Sequence, residues 1–223
     1  MSRKILVGVL VALLPLTIYA QEKSRYAYTI GVYGGIDRNI NGYRLSPNDY
    51  GNDFYSPSLL WNAGLDYGLM VTDKLRPRIE FKYLQQRYKV GWENGNISAM
   101  KESVVYLYNF DVNLRLDYLL LNKPKFQIFA SPAIKWEFTS DKDEKNIRKD
   151  GTNNWANYNG IINENPGNLF GGAVAVILKY NVTKNIGITC TPDYTMFINK
   201  YVESNSKLCQ RISLGCGVEF NFY

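Results

Sequence analysis

The chain has 223 residues and no histidine. That gap decides much of what its side chains can do. Without an imidazole, Ser–His and Asp–His hydrolysis are unavailable, and the commonest zinc ligand is missing. The three cysteines, Cys190, Cys209 and Cys216, form no Cys-x-x-Cys pair, so no metal or redox motif replaces it. Cys190 and Cys216 fall on the apolar faces of alternating segments, where a thiol acts as a small hydrophobe. In a hairpin turning near residue 204 they would be diagonal neighbours, and a disulfide between them stays open as an alternative. The remaining reactive groups are carboxylates. Asp111, Asp117 and Glu137 offer paired-carboxylate acid–base chemistry, but the same residues are equally expected as structural ion pairs. The reading is of a chain that is not an enzyme, with no catalytic, metal or cofactor site. Asn96-Ile97-Ser98 and Asn181-Val182-Thr183 match the glycosylation acceptor, a pattern that also occurs by chance.

The carboxylates share their placement with many other charges. Asp66, Glu80, Asp111, Asp117, Glu137, Asp193 and Glu219 each lie one step out of phase with an apolar series. Arg76, Arg78, Lys82, Arg115, Lys135 and Arg211 do the same. A period of two is the strand period, so these charges occupy one face of strands whose other face is greasy.

The final stretch, Lys207 to Tyr223, shows the pattern most plainly. Ile212, Leu214, Cys216, Val218, Phe220 and Phe222 alternate with Arg211, Ser213, Gly215, Gly217, Glu219 and Asn221. Seven earlier segments repeat it: Tyr26–Gly34, Leu59–Val71, a strand starting at Leu75, Val104–Tyr118, Phe126–Thr139, Asn168–Tyr180 and Ile186–Ile198. Pro132 interrupts one of them and predicts a local break or bulge; Pro192 interrupts another, and nothing in the sequence accounts for it. The alternation slips at Gln85-Gln86, predicting a bulge or the strand's emergence from a membrane. Thr72-Asp73-Lys74, the stretch around Asn122 and Pro124, and Asn181–Asn185 are tight turns. The intervening connections are longer, above all residues 35–58 and 140–167, which read as polar loops. The charged run DKDEKNIRKDG after Ser140 reads as a solvated loop. Tyr43, Tyr50, Phe54, Tyr55, Trp155 and Tyr158 are its and its neighbour's candidate contact aromatics.

Eight strands with turns at one rim and longer loops at the other fit an all-β, antiparallel up-and-down barrel. Alternation alone does not say which face points inward, but volume does. The apolar faces carry on the order of fifty mostly bulky side chains, whereas an eight-stranded interior is only just filled by its own inward residues. The apolar faces must therefore point outward. Water penalises such a surface at about 25 cal/mol per Å²; lipid does not. The expectation is a transmembrane barrel, with Tyr26, Trp61, Tyr118, Trp136 and Phe222 as interfacial girdles. Its inward charges, seven acids against six bases, predict an ion-paired plug; a charge-lined channel is the alternative.

The first residues, MSRKILVGVLVALLPLTIYAQ, place a basic start before an apolar run too short to span a bilayer as a helix. They predict a signal peptide over 1–20, with an anchor helix as the alternative, and a barrel domain over 21–223. The formal net charge is +6, of which Arg3 and Lys4 carry two. So mild an excess suits an anionic membrane surface or plain solubility and is not a nucleic-acid footprint.

With the signal peptide, the alternating strands and the ending GVEFNFY, the chain resembles the small Gram-negative outer-membrane β-barrels, the OmpA/OmpX-like or "porin family" and PorT-like group. The resemblance spans roughly Tyr26 to Tyr223 and rests on architecture and the aromatic end. It implies location in the outer membrane, among its lipid and lipopolysaccharide. It also implies that Phe220, Phe222 and Tyr223 form the signal read by the barrel-insertion machinery, although Tyr223 belongs by parity to the inward set. Three roles follow as expectations: a structural and surface-interaction barrel with a protein partner at the external loops, a narrow porin-like channel, or a component of a secretion or envelope-assembly complex.

Overall fold

The alternating segments form strands, and each strand's phase sets which side chains face in. The computed structural model describes residues 27–40, 55–57, 60–91, 100–148, 150–156, 168–199 and 208–223. The expected signal peptide, Tyr26, Tyr43, Tyr50, Phe54 and Tyr158 lie outside these. The strands are β1 (Tyr28–Asn39), β2 (Tyr55–Pro57), β3 (Leu60–Leu69), β4 (Leu75–Gly91) and β5 (Met100–Asn122). They continue with β6 (Phe126–Arg148), β7 (Asn153–Ala156), β8 (Leu169–Asn181), β9 (Ile186–Phe197) and β10 (Gln210–Phe222).

Eight of them pair in the order β4-β3-β1-β10-β9-β8-β6-β5, and β5 returns to β4, closing an antiparallel barrel. The seam joins the last strand to the first, from Tyr28 opposite Phe222 to Asn39 opposite Arg211. Closure leaves no unpaired edge in the ring. The two short strands lie outside it: β2 adds to β4 and β7 adds to β6.

The outer surface is apolar. Val32, Leu65, Leu114, Ile134, Val174, Ile188 and Leu214 are all exposed. Aromatics gather at both ends of this belt. On the turn side Tyr28 stacks on Phe222 at 4.7 Å between ring centres. On the loop side Trp61, Tyr83 and Phe110 form a chain of tilted rings 5.6 and 5.2 Å apart. Between the girdles, from Phe110 to Tyr118, β5 advances about 27 Å.

Three tight turns close one rim. Two use the same chemistry: the Thr72 hydroxyl accepts from the amides of Lys74 and Leu75, and the Thr183 hydroxyl from those of Asn185 and Ile186. Each threonine thus satisfies turn amides that the ladder cannot reach.

Several expectations are corrected. β1 does not end at Gly34 but continues to Asn39, because Ile36 and Asp37 hold the alternation and pair with Leu214 and Ser213. The residues after Ser140 are strand, not loop: β6 runs to Arg148 and turns back through a tip at Gly151, the described non-strand glycine with positive φ (84°), into β7. β4 and β5 pair without any register shift from Leu75–Tyr118 to Gly91–Glu102, so Gln85-Gln86 is no bulge. The β5–β6 ladder instead skips Ser140 on β6, between the pairs Tyr108–Asp141 and Asn109–Thr139, and Lys101 and Leu120 on β5. The Ser140 hydroxyl donates to the Tyr108 carbonyl at 2.8 Å. The break expected at Pro132 is present, and Pro192 opens another. Around Pro132 the β5–β6 pairing lapses between Arg115–Ala133 and Tyr118–Ala130, while β6 stays paired with β8 through Pro132 itself. Around Pro192 the β8–β9 pairing lapses between Ala175–Asp193 and Leu178–Cys190, while the β9–β10 side is continuous. A missing N–H costs one ladder locally and leaves the other intact.

Candidate functional site

Two places in this fold can carry function: the column of side chains inside the ring and the strands that continue past it. The interior is built by parity. Every inward charge named from the sequence is buried: Asp66, Arg76, Arg78, Glu80, Lys82, Asp111, Arg115, Asp117, Lys135, Glu137, Asp193, Arg211 and Glu219. Two more join them, Asp37 and Lys179. Their signal was available. Asp37 was hidden by ending the first strand at Gly34, and Lys179 continues the phase of Gly171, Ala173 and Ala175.

Register, rather than parity, decides who meets whom. Nearest the turns, Arg76 bridges Asp117 at 2.9 Å and Glu219 at 2.8 Å. Lys179 also binds Glu219, and donates to Asn221 at 2.6 Å. Arg78 joins Asp117 at 3.1 Å and Asp66 at 3.6 Å. Where Pro132 interrupts the ladder, the Ser131 hydroxyl donates to Asp117 at 2.6 Å. One level up, the Arg115 guanidinium spans the interior from Glu80 to Asp193, 2.7 Å from each. Above it Lys82 meets Asp37 at 3.2 Å and Asp111 at 3.7 Å, and Lys135 meets Asp111 at 3.1 Å. Arg211 holds Glu137 at 2.5 Å and donates through Nε to Asn39 at 2.9 Å. Such buried charges are tolerable because each lies within ion-pair distance of an opposite charge.

Apolar inward side chains cap the ionic column at both ends, a feature absent from the sequence reading. Leu119, Phe129 and Ile177 cluster on the turn side. Leu60, Leu84, Leu107, Leu169 and Phe197 are buried on the loop side. Each cap is tied to the column by a guanidinium over a ring: Arg76 lies 4.6 Å from the centre of Phe129, and Arg211 lies 5.3 Å from that of Phe197. Tyr33 fills the wall between two glycines: its cross-strand partners are Gly64 and Gly217, and a Cβ on Gly217 would sit 2.6 Å from that of Tyr33. The cavity left among Tyr33, Asp66, Glu80, Arg115 and Asp193 is about 30 Å³, room for water molecules in single numbers.

The carboxylates considered for acid–base work sit in this network. Asp111 and Glu137 are opposed across β5–β6 and share Arg211; Asp117 lies elsewhere, between Arg76 and Arg78. Of the aromatic end, Phe220 and Phe222 point outward. Tyr223 is not inside as parity predicts: it lies past the ladder, exposed at the turn rim, with its hydroxyl donating to the Lys184 carbonyl at 3.2 Å.

At the opposite rim β4, β5 and β6 do not stop with the belt. β5 and β6 have 23 residues each, and a tilted spanning strand needs about 9–11. The surplus, with β2 and β7 added at its sides, makes a sheet in the order β2-β4-β5-β6-β7 above the ring. Polar contacts mark its base: Trp61 Nε1 donates to Gln85 at 3.0 Å, and the Tyr108 hydroxyl to Asp143 at 3.0 Å. Its tip is fixed by Asp150, whose carboxylate accepts from the amide and hydroxyl of Thr152 at 2.9 and 2.7 Å. Those bonds hold the Asp150 carboxyl below the usual range. Of the loop aromatics named from the sequence, Tyr55 and Trp155 fall in β2 and β7.

Among solved structures, the chain is similar to the outer membrane protein OprG from Pseudomonas aeruginosa, at 10% identity and a TM-score of 0.54, covering 90% of this chain and 98% of that one. The fold is that of a small outer-membrane β-barrel. Neisserial surface protein A matches at 13% identity and a TM-score of 0.47 over 89% of this chain and all (100%) of its own. E. coli outer membrane protein W matches at 13% identity and 0.46 over 91% and 100%. No protein-family model matches the sequence, and no curated protein matches it.

Proposed function

We propose that the chain is an integral outer-membrane barrel, not an enzyme, whose task is to hold a polar sheet and its connecting loops outside the membrane for contact with a protein partner. The observation that carries this reading is the contrast within β4–β6. The same strands are lipid-faced around a filled interior below the loop-side girdle and stand free of the ring above it. A filled interior supports a scaffold more than a passage: charges of both signs are paired across the lumen and buried apolar residues lie at both ends. Lipid and lipopolysaccharide are its expected surroundings, and Phe220, Phe222 and Tyr223 its proposed signal to the insertion machinery. Functional contacts commonly sit on segments that a rigid scaffold presents.

The reading is tested in two steps. Membrane fractionation of cells making the full chain should place it with the outer membrane, and trypsin added to intact cells should cut between β6 and β7 while leaving the ring. Planar-bilayer recording of the purified barrel should show no steady conductance. Steady single-channel currents would overturn the scaffold reading in favour of a channel, and recovery of a soluble monomer without detergent would overturn the membrane reading itself.

A further inference from the structure

The alternation sets Cys190 and Cys216 on the outward face, and sequence spacing suggests a diagonal relation. The β9–β10 register corrects this: the two residues are direct cross-strand partners. Their sulfurs are 3.7 Å apart. Directly opposed residues of an antiparallel pair have Cβ atoms about 4.5–5.5 Å apart, and a disulfide wants about 3.5–4.5 Å. A small approach of the strands and rotation about χ1 would bring the sulfurs to bonding distance. The surroundings leave room for this. Across the barrel seam Cys216 faces Gly34, which has no side chain, and Gly34 in turn faces Ala63. Cys209 is no competitor. It is buried on the opposite face of the chain, with its sulfur 3.9 Å from Asn39 Oδ1.

We propose that Cys190 and Cys216 are joined by a disulfide in the mature protein, stapling β9 to β10. This rests on the outer-membrane reading, because an exported chain passes through an oxidising compartment. Each thiol gives up its proton. The two electrons reduce the disulfide of a thiol–disulfide oxidoreductase to a dithiol, through a mixed disulfide with one of the two cysteines. The exchange needs the oxidoreductase to touch a cysteine sulfur, and in the finished barrel both sulfurs lie on the outward, lipid-facing side. Oxidation therefore precedes insertion. The staple then acts on the hairpin whose second strand closes the ring against β1, restricting the unfolded chain where closure must finish.

The test counts thiols. Cells making the full-length chain are quenched with acid, and the denatured protein is treated with a maleimide polymer that adds one mass step per free thiol. The wild type should take one step without reductant and three after reduction, and digestion should yield a linked peptide pair containing Cys190 and Cys216. C209S should take none without reductant, and C190S should take two. Three steps on the unreduced wild type would overturn the proposal. Fractionation of the same cells separates the causes: three free thiols on a chain found in the outer membrane refute the disulfide alone. Three free thiols on a chain found elsewhere, with the reduced barrel still cross-linking under copper–phenanthroline in detergent, show that the location reading failed and took the disulfide with it.

Discussion

The lower and upper halves of β5 differ more from each other than β5 does from its neighbours. From Asn109 to Asp117 the strand alternates between buried Asn109, Asp111, Asn113, Arg115 and Asp117 and outward Phe110, Leu114 and Leu116. Above it, from Met100 to Tyr106, the same strand stays paired with β4 and β6, while the β3–β4 ladder ends lower down at Leu84. Hydrogen-bonded ladders alone thus suffice for strand structure in both halves. What the lower half adds is a shared interior, in which each inward group's environment is set by strands on the far side of the ring. Damage there should be global, and damage above should be local.

The largest effect is expected from Arg115→Met. It removes the guanidinium between Glu80 and Asp193 and leaves two buried carboxylates without it, a loss of about 3–5 kcal/mol. Urea unfolding of the barrel in lipid vesicles, followed by tryptophan fluorescence, measures it; a change within error would mean that the column is not mechanically coupled. One residue away, Leu114→Arg adds a charge to the outward face at 56% exposure. Near the bilayer midplane this should cost about 2–4 kcal/mol. That neighbouring residues both destabilise, one by losing and one by gaining the same charge, tests the inside-out arrangement directly. In water-solubilised form Leu114→Arg would be neutral.

Gly64→Val is next. The new side chain meets the Tyr33 ring and the Phe81 carbonyl, and overpacking of this kind costs about 1–3 kcal/mol. Pairing it with Tyr33→Ala should recover part of the loss. Smallest is Gly151→Ala at the β6–β7 tip, where φ is +84° with open space around the α-carbon. Strain of about 1 kcal/mol should quicken amide exchange across the hairpin without moving the global unfolding midpoint. A shift of the whole transition would show that the upper sheet and the ring unfold as one.

Most of the ring was legible in the sequence because strand parity is a local property. Phe110 through Tyr118 reads correctly with no knowledge of its neighbours, and so does Ile212 through Phe222. The upper sheet was not legible. DKDEKNIRKD has no apolar alternation to reveal a period, and a strand without one looks like a loop. Asp37 was missed for a related reason: it sits where apolar alternation gives way to polar sequence, although its ladder partners continue.

For the candidate site, residue types showed which charges would be buried but not which would meet. Arg115 reaches Asp193 because β9 lies across the lumen at the same height, a height fixed by the registers accumulated around the ring. The same distinction holds for the cysteines. Alternation alone placed Cys190 and Cys216 on one face, and register alone made them partners. The sequence by itself determined the strands, their inward and outward sides, and the membrane-type inversion, since period and side-chain volume suffice for these. Only the tertiary structure decided the ion-pair partners, the apolar caps and the sheet above the rim, because each depends on how antiparallel registers sum to a closed circuit.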